Sequence, residues 1–316
     1  MGVETRSGRE ARQVVLRKER AGRGGGWAAL LVVWVVWGST YLAIKVSVES
    51  LPPLLMAGAR FAIAGLIMFP FALRGGHWPR RAEWPGCGIV GLLLLGANAA
   101  LSFAERTVPS GLASLLIATV PLWMLGLDAA LNRVRLAWTA VCGLVIGLCG
   151  VAFLSGARSG HVSAAGVVVC LLAAASWAFG TVLSRRLPTP ASPGLGASMQ
   201  MLVAGVVLTG AAGVSGEAGS FRLAAVSGRS WLAFGYLIVI GSIVAFSAYV
   251  VAVRALPTAT VATYAYVNPV IAVLLGFAVL GEHLTTSMLL GGALIVGAVV
   301  LVVRQNPPRH LAAISI

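Results

Sequence analysis

The side chains best suited to binding a small molecule lie inside long apolar stretches of this sequence. Arg60 is the clearest case, because it is a permanent cation set into the apolar run over residues 53–73. A charge at the centre of a bilayer costs about 2.5–3.5 kcal/mol on insertion scales, so we expect its side chain to face the protein interior, water or a partner. This indicates binding of an anionic group, or an ion pair that gates a pathway. The alternative is a guanidinium that extends to the membrane surface.

Aromatic and hydroxyl side chains form a second group of candidates. The first apolar run contains the sequence WGSTY, which places an indole and three hydroxyls within a short stretch. An aromatic side chain too deep for the membrane surface can form the wall of a binding cavity. The alternative for the Ser and Thr hydroxyls is a bond to a carbonyl one turn back in the same helix. The candidates of this kind are Trp37, Ser39, Thr40, Tyr41, Trp123 and Trp177.

Polar residues near prolines, and amides within apolar runs, form a third group. A proline inside a helix leaves a carbonyl without its usual partner, and a neighbour or a solute can use that carbonyl. Thr119 stands two residues before one such proline, and Asn268 immediately before another. The alternative for these side chains is a structural kink or a hydrogen bond between helices. The candidates of this group are Asn98, Thr119, Gln200, Tyr264 and Asn268.

The sequence contains no constellation typical of catalysis or metal binding. All four histidines lie between apolar runs or in the tail, and the four cysteines form no CxxC pair, so we predict no catalytic residue, metal site or cofactor. No Walker A loop is present, which argues against ATP-driven transport by this chain. The acids Glu105, Asp128 and Glu282 lie at the ends of apolar runs, which makes them poor candidates for a deep proton carrier. A proton-coupled mechanism would have to use one of these rim acids or none at all.

One basic residue near the end of the first run has a simple expected partner. Lys45 stands four residues before Glu49, the spacing at which two side chains meet on one helix face. We therefore expect a helix-end ion pair between them. The alternative is an amine that lines a pathway.

The composition indicates that these residues are positioned by helices in a membrane. Apolar residues make up 59% of the 316 and charged residues only 10%, against roughly 25% charged in soluble domains. Ten runs are near the length that crosses ~30 Å of hydrocarbon as a helix. We therefore predict an all-α polytopic membrane protein with ten transmembrane helices. The runs cover 27–48, 53–73, 86–104, 109–127, 136–154, 164–184, 195–214, 231–253, 258–280 and 286–303.

The net charge of +14 follows membrane topology and does not indicate a nucleic-acid partner. With the N-terminus in the cytoplasm, 17 Lys and Arg fall in cytoplasmic segments and 4 in outer segments, the bias that the positive-inside rule describes. We predict that both termini are cytoplasmic. Residues 1–26 are expected to be a disordered basic tail, and residues 304–316 a second cytoplasmic tail.

The two halves of the chain resemble each other. At an offset of 148 residues Pro109 matches Pro257 and Pro121 matches Pro269, and at an offset of 140 Trp37 matches Trp177 and Arg60 matches Gln200. Each half has five runs, an odd number, so the second half is predicted to enter the membrane inverted. Inverted repeats place a substrate site near the bilayer midplane and permit alternating access.

Three stretches carry a resemblance to a known family. WGSTYLAIK at 37–45, ARFAIAGLI at 59–67 and ALPTATVATYAYVNPVIAVLLGFAVLGEHLT at 255–285 resemble an EamA-type member of the drug/metabolite transporter superfamily. The resemblance implies two inverted EamA repeats, over 27–155 and 164–303, and export or exchange of small metabolites or drugs across the bacterial inner membrane. One departure is visible, because the first half reads NRVRL at 132–136 where the second reads GEHLT, so Glu282 has no counterpart.

We therefore expect a secondary transporter that works by alternating access through a central cavity. The alternatives are a gradient-driven facilitator of amino-acid-like or aromatic solutes and a non-transporting membrane scaffold. The expected partners are a small-molecule substrate and the lipid bilayer. The fifth and tenth runs are rich in glycine, and their small residues are expected to pack at the periphery or against a second copy of the chain.

Overall fold

The computed structural model describes residues 6–76, 78–132, 138–156, 163–184, 186–256, 261 and 263–305. In these residues all regular structure is helical. In chain order the helices are α1 Arg6–Ser47, α2 Pro53–Leu73, α3 Glu83–Ala104, α4 Ser110–Ile117, α5 Val120–Asn132, α6 Trp138–Gly156, α7 Ala164–Leu183, α8 Pro193–Val214, α9 Glu217–Ser220, α10 Gly228–Tyr236, a π-helical segment Leu237–Val244, α11 Ala245–Ala255, α12 Tyr264–Leu280 and α13 Thr286–Gln305.

Among the described residues, six helical stretches are long and apolar enough to cross a membrane. They are Gly24–Ser47, Pro53–Leu73, Glu83–Ala104, Ala164–Leu183, Pro193–Val214 and Gly228–Tyr249. Three further apolar helices, Ser110–Met124, Val267–Leu280 and Thr286–Leu301, are shorter. Large apolar side chains such as Leu66, Leu172 and Val206 are more than 60% exposed on the outside of the bundle, where lipid would cover them. The chain is a polytopic, all-helical membrane protein.

The first helix is longer than the apolar pattern predicts. α1 has 42 residues and begins at Arg6, so the basic segment that we expected to be disordered is continuous with the membrane helix in the structure. Its apolar part begins at Gly24, close to the expected start at residue 27.

Two of the expected continuous runs are interrupted. The fourth is divided at Ala118–Thr119 into α4 and α5. The cause is Pro121, which lacks a backbone N–H and would clash with the carbonyl four residues earlier; it lies in the first turn of α5, where a proline is readily accommodated. The eighth run contains the π-helical segment between α10 and α11, where the hydrogen-bonding register has one extra residue.

Helices of the two halves pack mainly against each other. α2 packs on α8, α6 on α13, α3 on α7, and α1 on α12 and on the α10–α11 stretch. α7 in turn packs on α4 and α5. If each helix is replaced by its counterpart in the other half, the α3–α7 pair becomes the pair of α1 with α10–α11. In the same way, the α1–α12 pair becomes the pair of α7 with α4–α5. The packing therefore follows the same internal relation as the sequence.

Glycines allow the closest of these contacts. A Cβ on Gly58 would lie 2.6 Å from the Thr209 backbone nitrogen, and one on Gly65 would lie 2.8 Å from that of Leu202, so α2 and α8 meet backbone to backbone. A Cβ on Gly150 would lie 2.8 Å from the Gly291 carbonyl oxygen in α13. The glycine-rich fifth and tenth runs thus pack against each other within one chain, and pairing with a second copy stays a prediction.

Carboxylates from the second half cap two helices of the first. Glu217 Oε2 accepts hydrogen bonds from the backbone nitrogens of Leu54 (2.9 Å) and Leu55 (3.3 Å) at the start of α2. Glu282 accepts from the backbone nitrogens of Ser110 (2.7 Å) and Gly111 (3.1 Å) at the start of α4. Negative charge at a helix N-terminus is favourable, because it meets free N–H groups and the positive end of the helix dipole. These caps join the halves at one end of the bundle.

Candidate functional site

Arg60 is buried among helices of both halves. Its side chain is only 4% exposed, so it does not extend to the surface. The guanidinium Nε donates to Ser242 Oγ at 2.9 Å, and Nη1 donates to Asn98 Oδ1 at 3.2 Å. Both acceptors are neutral. We call Arg60, Asn98 and Ser242 the Arg60 cluster. Within the described residues this cation has hydrogen bonds but no carboxylate partner, the arrangement expected of a site that can receive an anion.

The π-helical segment supplies the second-half side of the cluster. Ser242 Oγ donates to the Leu237 carbonyl at 2.9 Å, five residues back, which is the spacing of a π-turn. That bond leaves the lone pairs of Ser242 Oγ directed at Arg60 Nε. A Cβ on Gly241 would lie 3.1 Å from Thr40 Cγ2 and 3.4 Å from Arg60 Nη2. Gly241 therefore lets α1 and α2 approach the segment closely.

The Ser39 and Thr40 hydroxyls of α1 bond within their own helix, and Ser39 also bonds to another helix. Thr40 Oγ1 donates to the Trp37 carbonyl at 2.6 Å, as the alternative interpretation expected. Ser39 Oγ donates to the Val36 carbonyl and also accepts from Tyr236 Oη at 2.6 Å. Ser39 thus joins α1 to the end of α10 in addition to its local bond. Tyr236 was not among the sequence candidates.

Three aromatic rings form a cluster beside the same part of α1. The ring centroid of Trp37 lies 5.2 Å from that of Tyr249 and 5.2 Å from that of Tyr264, and the last pair meets edge to face at 84°. Tyr249 and Tyr264 are 6.1 Å apart at 86°. We call these three residues the aromatic cluster. Such geometry is favourable beyond the burial of area alone, and it presents ring edges and faces to an aromatic or amphipathic solute.

Asn268 is buried between two helices and bonds to the main chain of both. Its amide fits best with the nitrogen donating to the Tyr264 carbonyl and to the Trp34 carbonyl, each at 3.2 Å. The residue is buried, and a Cβ on Gly38 would lie 3.2 Å from the Asn268 carbonyl oxygen. Asn268 therefore joins α12 to α1, and its bond to the Tyr264 carbonyl lies next to the aromatic cluster.

Four other sequence candidates lie away from the Arg60 cluster. Thr119 Oγ1 donates to the Leu116 carbonyl at the α4–α5 break, and Trp177 packs on the apolar group of Val120, Ala174 and Ala178. Trp123 is 40% exposed. α2 and α8 run antiparallel, with Gly58 facing Thr209 and Gly65 facing Leu202. Gln200 therefore lies at the depth of about residue 67, roughly 10 Å along the helix from Arg60.

Lys45 and Glu105 overturn two expectations. Lys45 Nζ donates to the Glu105 carbonyl oxygen, and to that of Val108 at 3.3 Å, so its bonds go to the α3–α4 turn and not to Glu49. Glu105 lies in that turn, just beyond α3, and its side chain is 0% exposed. We expected it to be a rim acid. It is instead buried because the polar turn folds inward under α1 and is held there by the lysine.

The Glu105 carboxyl is unusual in having no partner. Neither Oε1 nor Oε2 has a hydrogen bond within the part of the chain that the structure describes. Burial raises the pKa of this carboxyl well above its usual range; the nearby Lys45 charge lowers it, and Glu282 raises it further. Glu282, in contrast, has a full set of donors, since Ser110 Oγ also donates to it at 2.9 Å.

Tyr41 connects these groups. It interacts electrostatically with Tyr264 of the aromatic cluster on one side and with Glu105 on the other. Trp37, Tyr41 and Lys45 are spaced four residues apart and share one face of α1. That face runs from the aromatic cluster to the buried carboxyl. No group of three or more potential metal ligands is present in the residues searched.

Of the residues in the two clusters, the sequence candidates included Arg60, Asn98, Trp37 and Tyr264 but not Ser242 or Tyr249, and they also did not include Tyr236 or Glu105. Tyr236, Ser242 and Tyr249 lie in one apolar run, and the only signal that distinguishes them is a few polar residues among YLIVIGSIVAFSAY at 236–249. That pattern was available, but it does not indicate which face is inward when the helix contains a π-turn.

Comparison with known proteins gives consistent matches along the chain. The model of the EamA-like transporter family matches twice, over residues 25–156 and 164–304. An inner membrane transporter of Escherichia coli K12 named YedA, described as uncharacterized, is 41% identical over 282 residues, covering 87% of this chain and 90% of the relative. An uncharacterized Bacillus subtilis transporter, YvbV, is 31% identical over 306 residues, covering 91% and 95%.

Two further matches have lower sequence identity. A probable amino-acid metabolite efflux pump of Salmonella typhimurium is 27% identical over 314 residues, covering 93% of this chain and 99% of that protein. A solved crystal structure with 24% identity matches with a TM-score of 0.60 over 89% of this chain and 96% of its own. That match shows similarity of fold alone.

Proposed function

The chain belongs to the EamA-like transporter family, and from this and the geometry of the Arg60 cluster we propose that it is a secondary transporter that exports or exchanges small metabolites. It would do so by alternating access between two inverted five-helix repeats. It would act in the bacterial inner membrane with both termini in the cytoplasm. The positive-inside bias and the inner-membrane relative support this placement.

The observation that carries the proposal is the uncompensated charge of Arg60. A structural role would call for a carboxylate partner, since burying a lone cation is expensive. In the described structure its neighbours are two neutral hydrogen-bond acceptors, one from each half of the chain, and the Phe61 ring, whose centroid lies 4.9 Å from the guanidinium carbon. A carboxylate or similar anionic group on a solute would complete the site. Movement of the halves would then open or close the cluster.

The substrate class follows from what surrounds the cation. Thr40 and Gly241 adjoin Arg60, and the aromatic cluster begins one turn away at Trp37. This combination fits a small solute with an anionic end and an apolar or aromatic body, such as an amino-acid-like metabolite. The name of the Salmonella typhimurium relative points to the same class.

The repeat architecture is supported by three independent features. The family model matches each half separately, the half sequences match at fixed offsets, and the packing pairs exchange when the halves are exchanged. With five membrane crossings in each half, the second repeat would be inverted, which is the arrangement that permits alternating access. The remaining crossings would be supplied by α4–α5, α6, α12 and α13.

Exchange in liposomes tests the proposal. Purified protein in liposomes loaded with an unlabelled aromatic amino acid should take up the labelled compound from outside. Arg60→Ala should lower the exchange rate at least tenfold, because a charged hydrogen bond contributes about 1.5–3 kcal/mol. Arg60→Lys should be intermediate, since it keeps the charge without the planar fork.

The matched control is Arg74→Ala, which removes an exposed arginine just beyond the end of the same helix and should leave exchange unchanged. If no amino-acid-like solute exchanges, or if Arg60→Ala exchanges at the wild-type rate, the proposed site is wrong. A non-transporting scaffold would give no exchange of any solute.

A further inference from the structure

Glu105 is a buried carboxyl that the packing of the bundle does not require. Its side chain is 0% exposed, and both carboxyl oxygens are without a hydrogen bond in the described structure. A carboxylate in such a place would leave an ion desolvated and unpaired, which costs several kcal/mol. A protonated carboxyl at the same place is far less costly. The geometry therefore favours the neutral form of the group in this conformation.

The cation beside it is engaged elsewhere. Lys45 Nζ donates to the main-chain carbonyls of Glu105 and Val108, so it fixes the α3–α4 turn without pairing with the carboxyl oxygens. It remains close enough to favour the ionised form electrostatically. After a small movement of the turn, the Lys45 ammonium could release one main-chain carbonyl and donate to the Glu105 carboxylate in its place. Lys45 is therefore positioned to stabilise Glu105 after proton loss.

Among the other titratable groups around Glu105, Glu282 opposes its ionisation. Glu282 is held by three donors at the start of α4 and so carries its own negative charge close by. Tyr41 from α1 and Cys170 from α7 also interact with Glu105, and both are neutral groups. The two carboxyls therefore have opposite environments, since Glu282 accepts three hydrogen bonds and Glu105 accepts none in the described structure, and Glu105 is the one placed to bind a proton.

The carboxyl is also connected to the proposed substrate region. Tyr41 lies between Glu105 and Tyr264, on the same face of α1 as Trp37 and Lys45. A change in the α3–α4 turn would reach the aromatic cluster through this face. Because Glu282 belongs to the second half and caps α4 of the first, the same turn lies at a junction of the two halves.

We propose that Glu105 is the binding site for a transported proton, so that solute movement is coupled to a proton gradient. The inference rests on the proposed transport function. In the closed conformation described here the carboxyl carries the proton. When the α3–α4 turn opens, the O–H bond breaks, the proton passes to water at that end of the bundle, and the carboxylate pairs with Lys45. In the opposite conformation the carboxylate takes up a proton from water that enters from the other side along the Tyr41 face.

Infrared difference spectroscopy tests proton binding without reference to transport. Spectra of wild-type protein in lipid, between about pH 6 and about pH 9, should show a protonated-carboxyl C=O band that persists above the usual Glu pKa of about 4.3. Glu105→Gln should abolish this band. Glu49→Gln, which changes an exposed acid at the same end, should retain it. Persistence of the band in Glu105→Gln, or its absence from the wild type, would overturn the proposal.

Coupling is tested separately in liposomes, with labelled aromatic amino acids as probes. Exchange at equal pH needs no net proton movement and is measured first as a reference, and size-exclusion chromatography in detergent shows whether Glu105→Gln is folded. Accumulation driven by an imposed pH gradient should be present in the wild type and in Glu49→Gln. Glu105→Gln should lose it at least tenfold, and Glu105→Asp, which keeps a carboxyl, should recover part of it.

The outcomes separate the two proposals. Exchange without gradient-driven accumulation in the wild type would overturn proton coupling and leave a facilitator. Accumulation by Glu105→Gln at the wild-type level would also overturn it. If the wild type exchanges nothing, the proposed transport function fails, and the infrared band alone decides whether Glu105 binds a proton.

Discussion

Glu105 and Glu282 show how residues of one type acquire different properties from their neighbours. Glu282 accepts three hydrogen bonds at a helix N-terminus, where an anion is stabilised. Glu105 accepts none in the described structure and is fully buried. Both were expected from the sequence to be rim acids, because each stands at the end of an apolar run. Position along a run does not predict whether the following turn folds outward or inward, and here Lys45 holds it inward.

Protein stability should depend on the protonation of Glu105. Its pKa is raised by burial, so the folded protein keeps a proton that the unfolded chain loses at the usual Glu pKa. The folded state then binds more protons than the unfolded state, and stability should fall as the pH rises above about 4.3. Thermal unfolding in detergent, followed between about pH 5 and about pH 8, should show this fall in the wild type and a flatter profile in Glu105→Gln. An unchanged slope in the variant would contradict the assignment.

At the scale of single helices, apolar runs predicted where most elements lie but not how they are interrupted. The runs at 53–73 and 164–184 correspond closely to α2 and α7. The run at 231–253 contains a π-helical segment. No hydropathy pattern reveals it, because an α-helix and a π-helix can both be formed by the same apolar residues. The segment has a local cause in Ser242, whose hydroxyl bonds five residues back while accepting from Arg60.

Glycine contacts at the α2–α8 crossing should be sensitive to a single methyl group. A Cβ on Gly205 would lie 2.6 Å from Ala62 Cα, a backbone atom that cannot move unless the helices separate. Gly205→Ala should destabilise the protein by about 1–3 kcal/mol through overpacking. Gly210→Ala, on the same helix with open space around it, should be neutral or slightly stabilising, because alanine favours a helix by about 1 kcal/mol. Thermal unfolding in detergent compares the two, and equal effects would contradict this packing.

For the whole molecule, the principal helix pairs join different halves. The pairs α2–α8, α6–α13 and α3–α7 each take one helix from each half, and the Glu217 and Glu282 caps do the same. The internal match in the sequence predicted two related units. It could not predict which faces meet, because the matching positions, such as the prolines and the tryptophan, are equally compatible with several arrangements.

Neither half should be stable alone. Expression of residues 1–160 without the rest would expose the faces of α2 and α3 that pack on α8 and α7, so we expect the fragment to be degraded or to aggregate. Co-expression with residues 161–316 should restore a complex that copurifies and exchanges solute. Size-exclusion chromatography and proteolysis after extraction measure both results. A protease-resistant, monodisperse first half would show that the contacts between halves contribute little.

The backbone contact between α2 and α8 also has a mechanical consequence. Gly58, Gly65 and Gly205 place the closest approach within the length of both helices and away from their ends. A tilt about such a contact point moves the two ends of each helix in opposite directions. Widening at one end of the bundle then requires narrowing at the other, so a continuous pore through the membrane would not form while the pivot stays closed. The three glycines would thereby prevent leakage during transport, without contacting the solute.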